Sequence, residues 1–121
     1  MENTTSDKII SIVKAQKAFF ASGATLDIKY RKMMLNKLLN AINKWEEKLT
    51  EALWKDLHKS HEEAYLTEIS IVTCEIRNHI RHITKWAKRE RRCSPLKLFP
   101  SRSYTVKEPL GNALIVSPWN Y

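Results

Sequence analysis

The sequence is poor in the residues that interrupt helices. Among 121 residues there are two glycines and four prolines, and three of the prolines lie between residues 95 and 109, with the fourth at position 118. Glycine and proline are the strongest local breakers of regular structure. Their scarcity predicts a chain that is helical over most of its length, with irregular structure near the end.

Spacings typical of metal and redox sites are also missing. No C-x-x-C pair occurs, because Cys74 and Cys93 are nineteen positions apart. Cys74 lies beside the apolar face of a predicted helix, so we expect it to be a small core residue. Two histidine pairs have the three-residue spacing that places both imidazoles on one helix face, but no third ligand accompanies them: His58 with His61, and His79 with His82. We therefore predict no metal site.

Long apolar runs and glycine-rich loops are absent as well. No stretch of 18 apolar residues occurs, so no membrane span is expected. The first residues, MENTTSDK, lack the apolar segment of a secretory signal, and we expect a cytoplasmic, reduced protein. Gly23 and Gly111 stand alone, which leaves no glycine-rich loop to bind a phosphate.

Positive charge is concentrated at one end of the chain. The formal net charge is +8, yet residues 1–76 carry eleven Lys/Arg and eleven Asp/Glu, whereas residues 77–121 carry ten and two. A basic end is typical of proteins that bind nucleic acid or an anionic surface. Cations also accumulate at helix C-termini, where the macrodipole favours them, and this second interpretation is preferred. Cys93 follows the arginines, which could activate a thiol, but the sequence shows no base beside it.

The first two helices are indicated by caps and by apolar periodicity. A helix is predicted from about Ser6, taken as its N-cap, to Gly23, a typical residue just beyond a C-terminus. A second helical region starts near Asp27 and carries an apolar stripe to about Leu57. This stripe is long for one helix, so a break is expected between residues 43 and 47.

A third helix begins with a capping box, S-x-x-E at residues 60–63. Apolar residues then recur at three- and four-residue intervals up to the basic run at residues 88–92. The pattern predicts a helix of roughly 30 residues, about 45 Å long.

After residue 93 the pattern changes to short β-strands. Residues 103–107 alternate and are rich in β-formers, and residues 109–111 predict a turn. Residues 113–116 form a continuous apolar run, which is typical of a strand covered on both faces. Because the chain supplies at most one neighbouring strand, it is interpreted as a mostly α piece of a larger α/β protein, or as a subunit that completes its sheet with another chain.

Three segments resemble the NAD(P)-dependent aldehyde dehydrogenases, in their class 3 and fatty-aldehyde branch. The last segment is K-E-P-L-G at residues 107–111 followed by L-I-V-S-P-W-N-Y at residues 114–121. Upstream, A-L-W-K-D-L-H-K-S at residues 52–60 and E-A-Y-L-T-E-I at residues 63–69 are similar to elements of that branch. Their order and spacing extend the resemblance over essentially the whole chain. Asn112 departs from the pattern, because the family usually has a small apolar residue there.

The resemblance implies an N-terminal portion of a Rossmann-like α/β enzyme. Residues 1–93 would wrap the cofactor domain, residues 94–111 would be a linker and an oligomerisation-type strand, and residues 112–121 would begin the cofactor-binding domain. Asn120 would be an oxyanion-hole donor. Four residues would line the nicotinamide side of the crevice: Val116, Ser117, Pro118 and Trp119. The full-length enzyme would be a homodimer that uses NAD or NADP, without nucleic acid, to oxidise an aldehyde to a carboxylate.

The same resemblance implies that this chain is catalytically incomplete. The nucleophilic cysteine and the general-base glutamate of the family lie downstream, and neither Cys74 nor Cys93 matches that cysteine. We therefore expect residues 1–121 to be inactive alone and not to bind the cofactor. Two alternatives from other classes stay open: a helical interaction module that pairs its last strand with a partner chain, and a basic nucleic-acid-binding protein that uses Arg89, Arg91 and Arg92.

Overall fold

The structure, a computed structural model, describes residues 3–117. Five α-helical segments come first: α1 (Ser6–Ala21), α2 (Ile28–Lys44), α3 (Glu46–Leu57), α4 (His61–Ala64) and α5 (Ser70–Trp86). A 3-10 turn, Ala24–Leu26, joins α1 to α2, and a π-helical turn, Tyr65–Ile69, joins α4 to α5. Two short strands follow, β1 (Glu90–Arg92) and β2 (Ser103–Thr105), with a 3-10 turn, Leu96–Leu98, between them. This confirms the prediction of a mostly helical chain with one or two late strands.

Helix boundaries follow the local signals closely. Asp27 caps α2, because its carboxylate accepts hydrogen bonds from the backbone N–H groups of Lys29 and Tyr30. Gly23 has a φ of 77°, the left-handed conformation expected of a residue just past a helix end. The cap of α1 is Thr5 rather than the predicted Ser6, and its side chain makes no capping hydrogen bond.

The predicted break in the second helical region is confirmed at Trp45. Its φ and ψ are −103° and 11°, outside the helical range, and its N–H donates to the carbonyl oxygens of both Ala41 and Ile42. Lys48 Nζ lies 4.5 Å from the centroid of the Trp45 ring, a cation–π contact on the first turn of α3. The helix is interrupted at Trp45 although no proline lies there.

The third helical region begins as predicted, and Ser60 Oγ accepts a hydrogen bond from the Glu63 N–H. The π-helical turn then inserts one extra residue, marked by the Ser70 N–H donating to the Tyr65 carbonyl oxygen. This turn brings Ala64 and Ile69, five positions apart, onto the buried face. The buried face of this region therefore starts at Ala64, and the neighbouring Tyr65 is exposed.

The predicted extension of this helix to residue 92 is wrong. The helix ends at Trp86, and the basic run enters β1, which pairs antiparallel with β2 with Arg92 opposite Ser103. Periodicity in the basic run is a local signal, whereas strand pairing depends on residues that lie further along the chain. The cations at residues 91 and 92 therefore do not cap a helix.

The core is small: α2 packs against α5, and the few buried residues lie on α3, α4, the π-helical turn and α5. The buried apolar residues in the described range are Ala64, Ile69 and Ile76, with Thr50 and Thr73 beside them. The accessible surface is 10958 Å², whereas a compact monomer of 14.2 kDa exposes roughly 6,800 Å². The helices therefore present apolar faces that this chain does not cover. No helix within residues 3–117 is long and apolar enough to cross a membrane.

Candidate functional site

The predicted site lies at the end of the chain. Val116 and Ser117 fall within the described residues, and both are exposed. Pro118, Trp119 and Asn120 lie outside the described residues. The structure therefore places two of the five predicted site residues on one exposed segment and does not test the role of any of them.

The segment before the predicted site residues contacts α1. Asn112 Nδ2 donates a hydrogen bond of 3.0 Å to Gln16 Oε1. Gly111 has a φ of 110°, and a β-carbon there would lie 3.6 Å from Phe20 Cε1, an ordinary contact distance. The backbone conformation, rather than a lack of space, therefore favours glycine at this position. Asn112, which departs from the family pattern, has a polar partner that accounts for it structurally.

Residues 113–116 form no strand in the part of the chain that the structure describes, so their place as the first strand of a larger domain stays a prediction. The side chains of Leu114, Ile115 and Val116 are 89%, 86% and 82% exposed. A strand needs a hydrogen-bonded neighbour, and here the nearest strands, β1 and β2, are paired with each other. The continuous apolar run is nevertheless the pattern of a strand that is buried on both faces of a parallel sheet.

The two upstream motifs contact each other in the structure. Lys59, from the first motif, donates to Glu68 Oε1 of the second motif at 2.6 Å and to Thr67 Oγ1 at 3.4 Å. The Lys59 side chain is only 14% exposed. Together with the Ser60 cap and the buried Ala64, this ion pair fixes the turn between α3 and α4. These motif residues therefore have a structural role. The sequence pattern contained both motifs but did not show that they meet.

Neither cysteine has the surroundings of a nucleophile. Cys74, predicted to be a core residue, is exposed, because the buried face of α5 passes through Thr73 and Ile76 instead. Cys93 is exposed in the loop after β1. Within residues 3–117, no hydrogen bond joins either thiol to a histidine or a carboxylate.

Three of the four histidines contact tryptophan rings. The rings of His79 and His82 lie 5.1 and 5.6 Å from the ring of Trp86, measured between centroids. His58, at the C-terminal cap of α3, lies 5.6 Å from the Trp54 ring. No group of three potential metal ligands occurs in the described part of the chain.

Glu90 of β1 forms ion pairs with two cations near the two strands. The hydrogen bond and the charge of Lys107, with the nearby charge of Arg92, hold the pKa of the Glu90 carboxyl below its ordinary value of 4.5. The Glu90 oxygens lie 2.7 Å from Lys107 Nζ and 2.7 Å from an Arg92 guanidinium nitrogen. Glu90 therefore joins β1 to the segment that follows β2.

Comparison with known proteins identifies relatives of this chain. The model of the aldehyde dehydrogenase family matches residues 1–121. The 4,4'-diaponeurosporen-aldehyde dehydrogenase of Staphylococcus aureus is 45% identical over 105 residues, which are 87% of this chain and 23% of that protein. The dimeric NADP-preferring aldehyde dehydrogenase of Canis lupus familiaris is 36% identical over 118 residues, covering 94% of this chain and 25% of that protein.

A solved structure agrees with these relatives. The substrate-bound state of Staphylococcus aureus AldH superposes with a TM-score of 0.80 at 40% identity, over 89% of this chain and 23% of that chain. The chain therefore spans about a quarter of the length of the relatives that it matches, and it corresponds to their N-terminal portion. The family match over all 121 residues shows that the chain belongs to the aldehyde dehydrogenase family.

Proposed function

We propose that residues 1–121 are the N-terminal portion of an enzyme that oxidises aldehydes to carboxylates with NAD or NADP. The observation that carries this proposal is the family match, which extends over the whole chain. The exposed run at residues 114–116 supports it, because such a run has the composition of a central strand and lacks its neighbours here.

The proposed contribution of this chain to catalysis is the corner at residues 116–120. Open α/β sheets bind ligands at the carboxyl ends of their strands, which is where this corner would lie. Val116, Ser117, Pro118 and Trp119 would line the nicotinamide side of the crevice. The bound cofactor would accept a hydride from the substrate carbon.

Asn120 would donate its side-chain amide N–H to the substrate oxygen as negative charge develops there. A neutral, fixed donor stabilises that charge without adding a group that titrates near neutral pH. This role is carried over from the family motif, since Asn120 lies outside the described residues.

Residues 1–121 alone would lack the activity. Neither cysteine of this chain corresponds to the family's nucleophile, and both are exposed. Cofactor binding and the general base would likewise require residues beyond this portion. The active protein is proposed to be a cytoplasmic homodimer, and the name of the canine relative, which is dimeric and NADP-preferring, supports the dimer and makes NADP a cofactor to test.

The decisive experiment is to purify the native product from its source cells and determine its intact mass and its activity. We expect a mass roughly fourfold larger than 14.2 kDa, given that relatives are matched over about a quarter of their length. We also expect reduction of NAD or NADP on addition of an aldehyde. A native mass near 14.2 kDa, without activity, would contradict the proposal and favour the interaction module.

A further inference from the structure

We draw no further inference here: the strongest candidate, the open apolar groove between α2, α3 and α5 that is lined by Ile42, Leu49, Leu53 and Val72, carries none, because nothing in the part of the chain that the structure describes shows what covers it.

Discussion

Lys59 shows how a single residue links two sequence motifs. Its ammonium group lies 2.6 Å from the Glu68 carboxylate and is largely shielded from solvent. A partly buried pair is weakly screened, and removal of one partner leaves the other without compensation. Lys55, one turn earlier, makes a pair of 2.7 Å with Glu51, but both side chains are more than 60% exposed. The two lysines therefore have similar geometry and very different surroundings.

Lys59→Met is expected to lower the free energy of unfolding by about 1–2 kcal/mol, because Glu68 loses its charged hydrogen-bond partner. Lys55→Met is the matched control and should have a clearly smaller effect, since exposed pairs contribute little. Melting temperatures of the native-length protein compare the two variants. Equal shifts would show that burial of the Lys59 pair has no energetic consequence.

Asn120 is the residue on which the proposed chemistry depends. Asn120→Ala in the native-length enzyme is expected to lower kcat by about 10²–10³ with little change in stability, because one oxyanion donor is removed. Asn112→Ala, which removes the same type of side chain from a contact with α1, should leave kcat within about twofold. Steady-state kinetics with a saturating aldehyde measure both variants. An unchanged kcat for Asn120→Ala would exclude the oxyanion role.

At the scale of the elements, local signals and tertiary contacts can be separated. The starts of α2 and of α4 were predictable, because each has a side-chain cap that satisfies orphan N–H groups at the helix end. The break at Trp45 was predictable only from the length of the apolar stripe. The strand at Glu90–Arg92 was not predictable from its own residues, since its partner strand lies further along the chain at Ser103–Thr105. The π-helical turn was missed because it changes the period for a single turn.

The helix caps provide a test with an internal control. Asp27→Ala and Ser60→Ala are each expected to destabilise the protein by about 1 kcal/mol, because a backbone N–H loses its acceptor. Thr5→Ala should have almost no effect, since the Thr5 side chain makes no capping hydrogen bond. Chemical unfolding of the three variants measures the change in the free energy of unfolding for each. A Thr5→Ala effect as large as the other two would contradict the observed cap geometry.

At the scale of the whole molecule, the dominant property is uncovered apolar surface. The accessible area is about 1.6 times the value expected for a compact monomer of this mass. A groove lined by Leu35 of α2 and by Ile71 and Val72 of α5 is open to solvent, although α2 and α5 pack against each other. Such a surface suits a portion that packs against further parts of a family member.

Residues 1–121 in isolation are therefore expected to self-associate, because large exposed apolar patches favour contact between copies. Sedimentation velocity over a range of concentrations should show species larger than the monomer of 14.2 kDa. The native-length protein, with these faces covered, should show a single defined assembly. A sharp thermal transition together with a concentration-independent monomer of residues 1–121 would contradict this expectation.

The sequence by itself determined the helical class of the chain, most helix boundaries and the family, because caps, periodicity and short motifs are carried by neighbouring residues. The tertiary structure decided that Cys74 faces outward, that the basic run enters β1, and that Lys59 meets Glu68. Each of these depends on which face of an element finds a partner. The run at residues 113–116 also shows that local sequence is not sufficient. Its composition is that of a strand, but a strand forms only when a neighbouring strand is present to share its hydrogen bonds.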